Sequence, residues 1–193
     1  MKYKFGYGTH SMGVVYGVND YEATTFMLSS RDEMLSLLNA NFENRVILEE
    51  PEFVSKYTII SIQKSGAHWR LGIGIAYSET GIQPRIISLP YENGFILWYN
   101  QTLVLMDIVS GSVVWLKKFC TDIVFCKCRP DGCFVLCEDC IYSLSYKGDV
   151  KNTYLLDDQL DEFEFSANTL FFTTCSSSEK QAIILSEFVC KCN

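Results

Sequence analysis

Between Pro84 and Leu156 the apolar positions fall into blocks separated by polar or glycine-containing turns, and the blocks occur twice in the same order. The first pass is IISLP, YENG, FILWY, NQ and TLVLMDIVSGSVVWLKK; the second is DIVFCKC, RPDG, CFVLC, ED and CIYSLSYKGDVKNTYLL. Laying Gly94 on Gly132 places Phe95 to Tyr99 on Cys133 to Cys137, and Leu103 to Met106 on Ile141 to Leu144. Each pass reads as an antiparallel meander of four short strands. A third, shorter pass follows: FEFS from Phe163, a turn at Ala167 and Asn168, TLFFTT, a polar tip CSSSEK, and QAIILSEF. The first strands of the three are expected near Ile86, Ile123 and Phe163, steps of 37 and 40 residues. Runs such as FILWY and CFVLC are apolar without alternation, which suits strands covered on both faces. A single meander cannot cover both of its own faces, but like neighbours stacked on it can.

Upstream, residues 29–43 (SSRDEMLSLLNANFE) carry the one helical pattern. Ser30 is placed to cap, Glu33 is its capping-box partner, and Met34, Leu37, Leu38 and Phe42 recur at helical spacing. The stripe is narrow, so the helix is expected on the surface of the β structure with one face buried. RVILEE, YTIISIQ, WRLGIGIAY and RIISL read as strands bounded by turn residues, and residues 2–18 as two short strands around a turn at Thr9 to Ser11. The expected fold is all-β and mainly antiparallel: a small or incomplete propeller-like array of four-stranded units with one N-terminal surface helix. A twisted β-sandwich is the alternative. Residues 1–193 are read as a single domain, with strands and helix over 1–43 and the β-repeat array over 44–193.

The stretch from Leu105 to Trp115 (LMDIVSGSVVW) resembles the blade repeat of quinoprotein (PQQ-type) propellers: an apolar pair, Asp107, a Ser110-Gly111 turn, and a short strand ending in Trp115. Leu144 to Gly148 (LSYKG) keeps part of this pattern. The resemblance implies that the Asp and the Ser-Gly turn set the hairpin between the outer strands and that Trp115 packs between blades. It speaks for architecture and not for quinone chemistry, because the dehydrogenases of that family are exported and hold a calcium ion with the cofactor. This chain reads as lacking both an export signal and a convergent acidic metal cluster.

The 193 residues, 48% of them apolar and 20% charged, are enough for a folded core. No apolar run is long enough for a transmembrane helix and the N-terminus lacks an unbroken apolar stretch, so the expected location is cytoplasmic, with no membrane contact. A net charge of −7 argues against direct nucleic-acid binding and for a basic protein partner. The nine cysteines are then expected as thiols. Cys126, Cys128, Cys133, Cys137 and Cys140 lie close together, with Cys190 and Cys192 at the end, but only one CxxC occurs and the spacing suits strand faces better than zinc. No metal and no cofactor are expected. Any nucleophile system must use His10 or His68, each of which reads as an ordinary surface residue. The glycine-rich GYGTHSMG does not fit a phosphate loop or a dinucleotide fingerprint. The chain is accordingly read as non-enzymatic.

The run Asp157, Asp158, Asp161, Glu162 and Glu164 brackets the connection between the second and third repeats, with no basic residue inside it. It is the candidate partner-binding site, with Tyr91, Trp98 or Tyr99 as candidate aromatic anchors, although each reads more readily as a core residue. In general character the chain is similar to immunity proteins of bacterial contact-dependent inhibition systems. That likeness implies occlusion of a cognate basic toxin, such as a nuclease. The alternative is a β-repeat scaffold that binds peptides in a larger assembly.

Overall fold

The computed structural model describes residues 16–18, 21–49, 54–64, 70–78, 82–89 and 93–189. The expected turn at Thr9 to Ser11, both histidines, Tyr91, Cys190 and Cys192 lie outside these residues.

Four sheets follow one another along the chain. The first contains β1 (Tyr16–Val18), β2 (Tyr21–Leu28), β3 (Asn44–Glu49), β4 (Lys56–Lys64) and β5 (Arg70–Tyr77), in the order β1-β2-β4-β5-β3. Strands on both sides of residue 43 thus share this sheet. Helix α1 (Arg31–Asn41) connects β2 to β3, and this crossover lets β3 pair in parallel with β5. The second sheet is the meander β6 (Arg85–Ser88), β7 (Gly94–Tyr99), β8 (Thr102–Asp107) and β9 (Val113–Lys118). The third is β10 (Ile123–Arg129), β11 (Gly132–Cys137), β12 (Cys140–Leu144) and β13 (Val150–Leu155). The fourth has three strands, β14 (Leu160–Ser166), β15 (Thr169–Thr174) and β16 (Ser177–Ile184), and the short helix α2 (Leu185–Val189) follows it. QAIILSEF is therefore not one strand: β16 begins earlier, at Ser177, and its end turns into α2.

Each interval between successive sheets holds its own core. In β7, Phe95, Leu97 and Tyr99 face back onto Ile60, Ile73 and Ile75 of the first sheet, while Ile96 and Trp98 face forward onto Cys126, Cys133 and Val135. In β11, Phe134 and Leu136 face forward onto Phe163, Leu170 and Phe172. Every residue of β7 and β11 is buried, as their unbroken apolar runs require. Trp98 and Tyr99 are only 3% and 2% exposed, so neither serves as a surface anchor; covering both faces of β7 removes them from solvent.

The two ends of the stack are closed differently. Ser30 caps α1 by accepting from Glu33 N at 3.2 Å, and the Glu33 carboxylate bonds back to Ser29 N and Oγ. Met34, Leu38 and Phe42 bury against the outer face of the first sheet, whereas Leu37 points away and is 38% exposed. At the far end β15 alternates. Leu170 and Phe172 face the core, while Phe171 on the outer face lies under the Lys180 ammonium, which is 4.6 Å from the ring centroid and pairs with Glu164 at 3.4 Å. A polar cover over the last apolar ring lets a repeat array end in water.

Register refines the repeat. β10 pairs Cys126 with Val135, as β6 pairs Ile86 with Leu97 and β14 pairs Phe163 with Phe172. Cys126, not Ile123, is therefore the counterpart of Ile86 and Phe163. Ile123 lies beyond a bulge between it and Phe125, as Leu160 lies beyond the matching bulge in β14.

Candidate functional site: an acidic loop rim

All connections between β7 and β8, β9 and β10, β11 and β12, β13 and β14, and β15 and β16 emerge at one end of the stack, because each sheet is an up-and-down meander. Backbone hydrogen bonds pin these connections to one another. Ile123 N donates to Asn100 O (2.7 Å) and Glu138 N to Asp122 O (3.1 Å). Leu156 N donates to Asp139 O (2.9 Å), Leu160 N to Glu138 O (2.6 Å) and Cys175 N to Gln159 O (2.8 Å). The result is a rim whose main chain is tied from turn to turn.

Three carboxylates outside the acidic run, Asp122, Glu138 and Asp139, sit on this rim beside Asp157 and Asp158. The hydrogen bonds at Asp122 O, Asp139 O and Glu138 O bring the three connections together. In sequence they are short, isolated acidic positions, and only their equivalent places in successive turns betray them. Asp139 is oriented by Thr121, whose Oγ1 donates to Oδ1 at 2.6 Å. This bond holds the carboxyl below its ordinary range, against a smaller upward push from burial. Asp158 Oδ1 accepts from Gln159 N at 2.8 Å.

The run itself divides. Asp157 and Asp158 belong to the connection, while Asp161, Glu162 and Glu164 lie within β14. Glu164 is neutralised by Lys180, a cation distant in sequence that β16 brings alongside, so the run is not wholly unopposed. Asp157, Asp161 and Glu162 are exposed, and among the described residues no cation pairs with them.

The cysteine cluster does different work. Cys126 and Cys133 are buried in the core between the second and third sheets, with Cys128 packed against it, and Cys128 faces Cys133 across β10 and β11. Burial pushes the Cys126 thiol well up and raises Cys128 to about 12 and Cys140 to about 11; Cys137 is raised by the same cause. Thiols held neutral in this way are poor nucleophiles. Among the described residues no group of three or more His, Cys, Asp or Glu side chains is placed to hold a metal ion. Nor is any described helix long and apolar enough to cross a membrane.

The Asp107 turn is structural. Asp107 Oδ1 accepts from Ser110 N (2.6 Å) and Ser110 Oγ (2.8 Å), and Gly111 follows at φ +66°. Trp115 Nε1 donates to Tyr146 O (2.8 Å) across the gap to the third sheet, so the tryptophan does pack between units.

No protein family model and no curated protein matches this sequence. Among solved structures, BamB from Moraxella catarrhalis matches with a TM-score of 0.50 at 10% identity, over 84% of this chain and 40% of that one. Apo AztD from Citrobacter koseri matches with a TM-score of 0.50 at 12% identity, over 91% of this chain and 57% of that one. The chain thus spans about half the length of the structures it matches. The likeness establishes a propeller-like β-repeat fold, which the four stacked sheets embody.

Proposed function

We propose that this chain is a non-catalytic protein-binding module, a rigid β-repeat scaffold that presents its acidic loop rim to a basic surface on a partner. The observation that carries this reading is the pinning of three connections by backbone hydrogen bonds, which gathers Asp122, Glu138, Asp139, Asp157 and Asp158 at one end of the stack. Preorganised charge of one sign steers encounter with the opposite sign and costs little ordering entropy on contact. The chain's net charge of −7 supports the same polarity.

Affinity capture on the immobilised chain, in parallel with a variant carrying Asp122, Glu138, Asp157 and Asp158 as Asn or Gln, tests the reading. Basic partners are expected on the first and lost on the second, with retention falling steeply as salt rises. Equal retention by both would refute it. A narrower form makes the partner a toxin, with a nuclease active site covered by the rim carboxylates in the manner of an immunity protein. That form predicts one dedicated stoichiometric complex on gel filtration, where a general scaffold predicts several.

A further inference from the structure

At the end of the stack opposite the acidic rim, a groove of about 380 Å³ opens between the second and third sheets. Its wall is apolar, from Leu89, Leu105 and Val114, and its mouth carries the carboxylates of Asp107 and Asp131 and the ammonium of Lys147. The groove is preformed, because both sides are fixed by bonds that do not involve a ligand. Trp115 Nε1 binds Tyr146 O, the Tyr146 hydroxyl donates to Arg129 O, and Ser145 N bonds Asp149 O at 2.9 Å. The two carboxylates have capacity to spare. A carboxylate has about four acceptor sites, and among the described residues Asp107 accepts from Ser110 and Val109 only; the cation paired with Asp131, Arg129, stands 3.9 Å away, beyond hydrogen-bond distance.

A cationic head on a long apolar stem matches this arrangement, whereas an anion would meet two carboxylates. Arginine suits it better than lysine, since a planar guanidinium is less strongly hydrated and can serve two carboxylates at once. We propose that the groove takes an arginine side chain from an extended peptide, its stem along Leu89, Leu105 and Val114, its guanidinium toward Asp107 and Asp131, and an adjacent main-chain carbonyl toward Lys147. The proposal rests on the reading of the chain as a protein-binding module but assigns a second, separate surface.

Fluorescence anisotropy with a labelled pentapeptide carrying a central arginine, compared with the same peptide carrying citrulline, tests it on the intact chain. Saturable binding is expected, about tenfold tighter for arginine because only arginine carries charge. Asp131→Asn and Val114→Arg, both at exposed positions, are each expected to weaken it by about fivefold or more with thermal unfolding unchanged. Neutralising Asp157, Asp158 and Asp161 is expected to leave it intact. Equal binding of the citrulline peptide, no binding at all, or loss on neutralising the rim with the groove variants unaffected would each overturn the assignment, while the rim reading would fall only if affinity capture gave equal retention by the chain and its rim variant.

Discussion

Asn152 in β13 holds the place in its sheet that Trp115 holds in the sheet before. Trp115 pairs with Leu105 and Asn152 with Ser143, and Leu105 and Ser143 are themselves equivalent, facing Ile96 and Phe134. Each donates a side-chain N–H to a main-chain carbonyl of the unit that follows: Trp115 to Tyr146 O, and Asn152 to Phe188 O. Helix α2 therefore stands in for the hairpin tip that the fourth sheet lacks. Trp115→Phe, which removes the donor and keeps a ring, is expected to cost about 1 kcal/mol, and Asn152→Ala a similar amount. Trp115→Ala is expected to cost about 3 kcal/mol, because the ring packed over Gly148 is lost as well. Urea denaturation of the three variants measures these losses.

Glycines under α1 set how closely the helix docks. A Cβ at Gly74 would lie 2.6 Å from Leu38 Cδ1 and 3.1 Å from Met34 Sδ, and one at Gly72 would lie 2.5 Å from Phe42 Cγ. Leu38 and Met34 are fully buried and have nowhere to retreat without moving the helix. Gly74→Ala is expected to destabilise by about 1–3 kcal/mol through overpacking, and Leu38→Ala by about 2–5 kcal/mol through a cavity. The double variant should lose less than the sum, since each change relieves the other. Strict additivity in a double-mutant cycle would contradict this contact.

The thiols should divide by burial. Cys120 and Cys175 are exposed, while Cys126, Cys128, Cys137 and Cys140 have their ionisation pushed upward. Iodoacetamide at neutral pH should label the exposed pair first, and the others only after denaturant is added. Mass spectrometry of timed digests reads this out. Rapid native labelling of Cys126 would overturn the core reading of the cluster.

The repeat was legible because its anchors are steric. A Cβ at Gly94 would stand 2.9 Å from Met106 O, and one at Gly132 would stand 1.9 Å from Leu144 O, so both strands must start on glycine where the facing strand comes close. Glycine there fixed the alignment of the two copies. The apolar runs of β7 and β11 told equally of burial on two faces. What sequence could not carry was register: Arg129 pairs with Gly132 across a tight turn where Ser88 pairs with Phe95 across a longer loop, which makes Cys126 and not Ile123 the counterpart of Ile86. Nor did it show the rim in full. Asp122, Glu138 and Asp139 meet the acidic run only through hydrogen bonds between turns that lie well apart along the chain, and Lys180 reaches Glu164 only because β14 and β16 flank β15. Trp98 and Tyr99 are core, the reading preferred for them over surface anchors, because neighbouring sheets cover both faces of β7.

Two carboxylates couple the stack to acid. Asp107 is held low by its bonds from Ser110, and Asp139 by its bond from Thr121. A folded-state pKa below the unfolded value means that the unfolded chain takes up protons first as pH falls. The stabilisation is therefore fully present above the ordinary carboxylate range of about 4 and is lost as pH drops through the lower folded values. Both groups are largely solvated, so each effect is modest, on the order of a few tenths of a kcal/mol after screening. Asp107→Asn and Asp139→Asn should flatten the dependence of stability on pH below about 4 while changing little at pH 7, because an amide can still accept the same hydrogen bonds. Thr121→Val should flatten it likewise by freeing Asp139 to titrate normally, and this separates the hydrogen bond from the charge. If thermal melts from pH 7 down to about 3 gave parallel curves for all four proteins, neither carboxylate would be linked to folding as these contacts require.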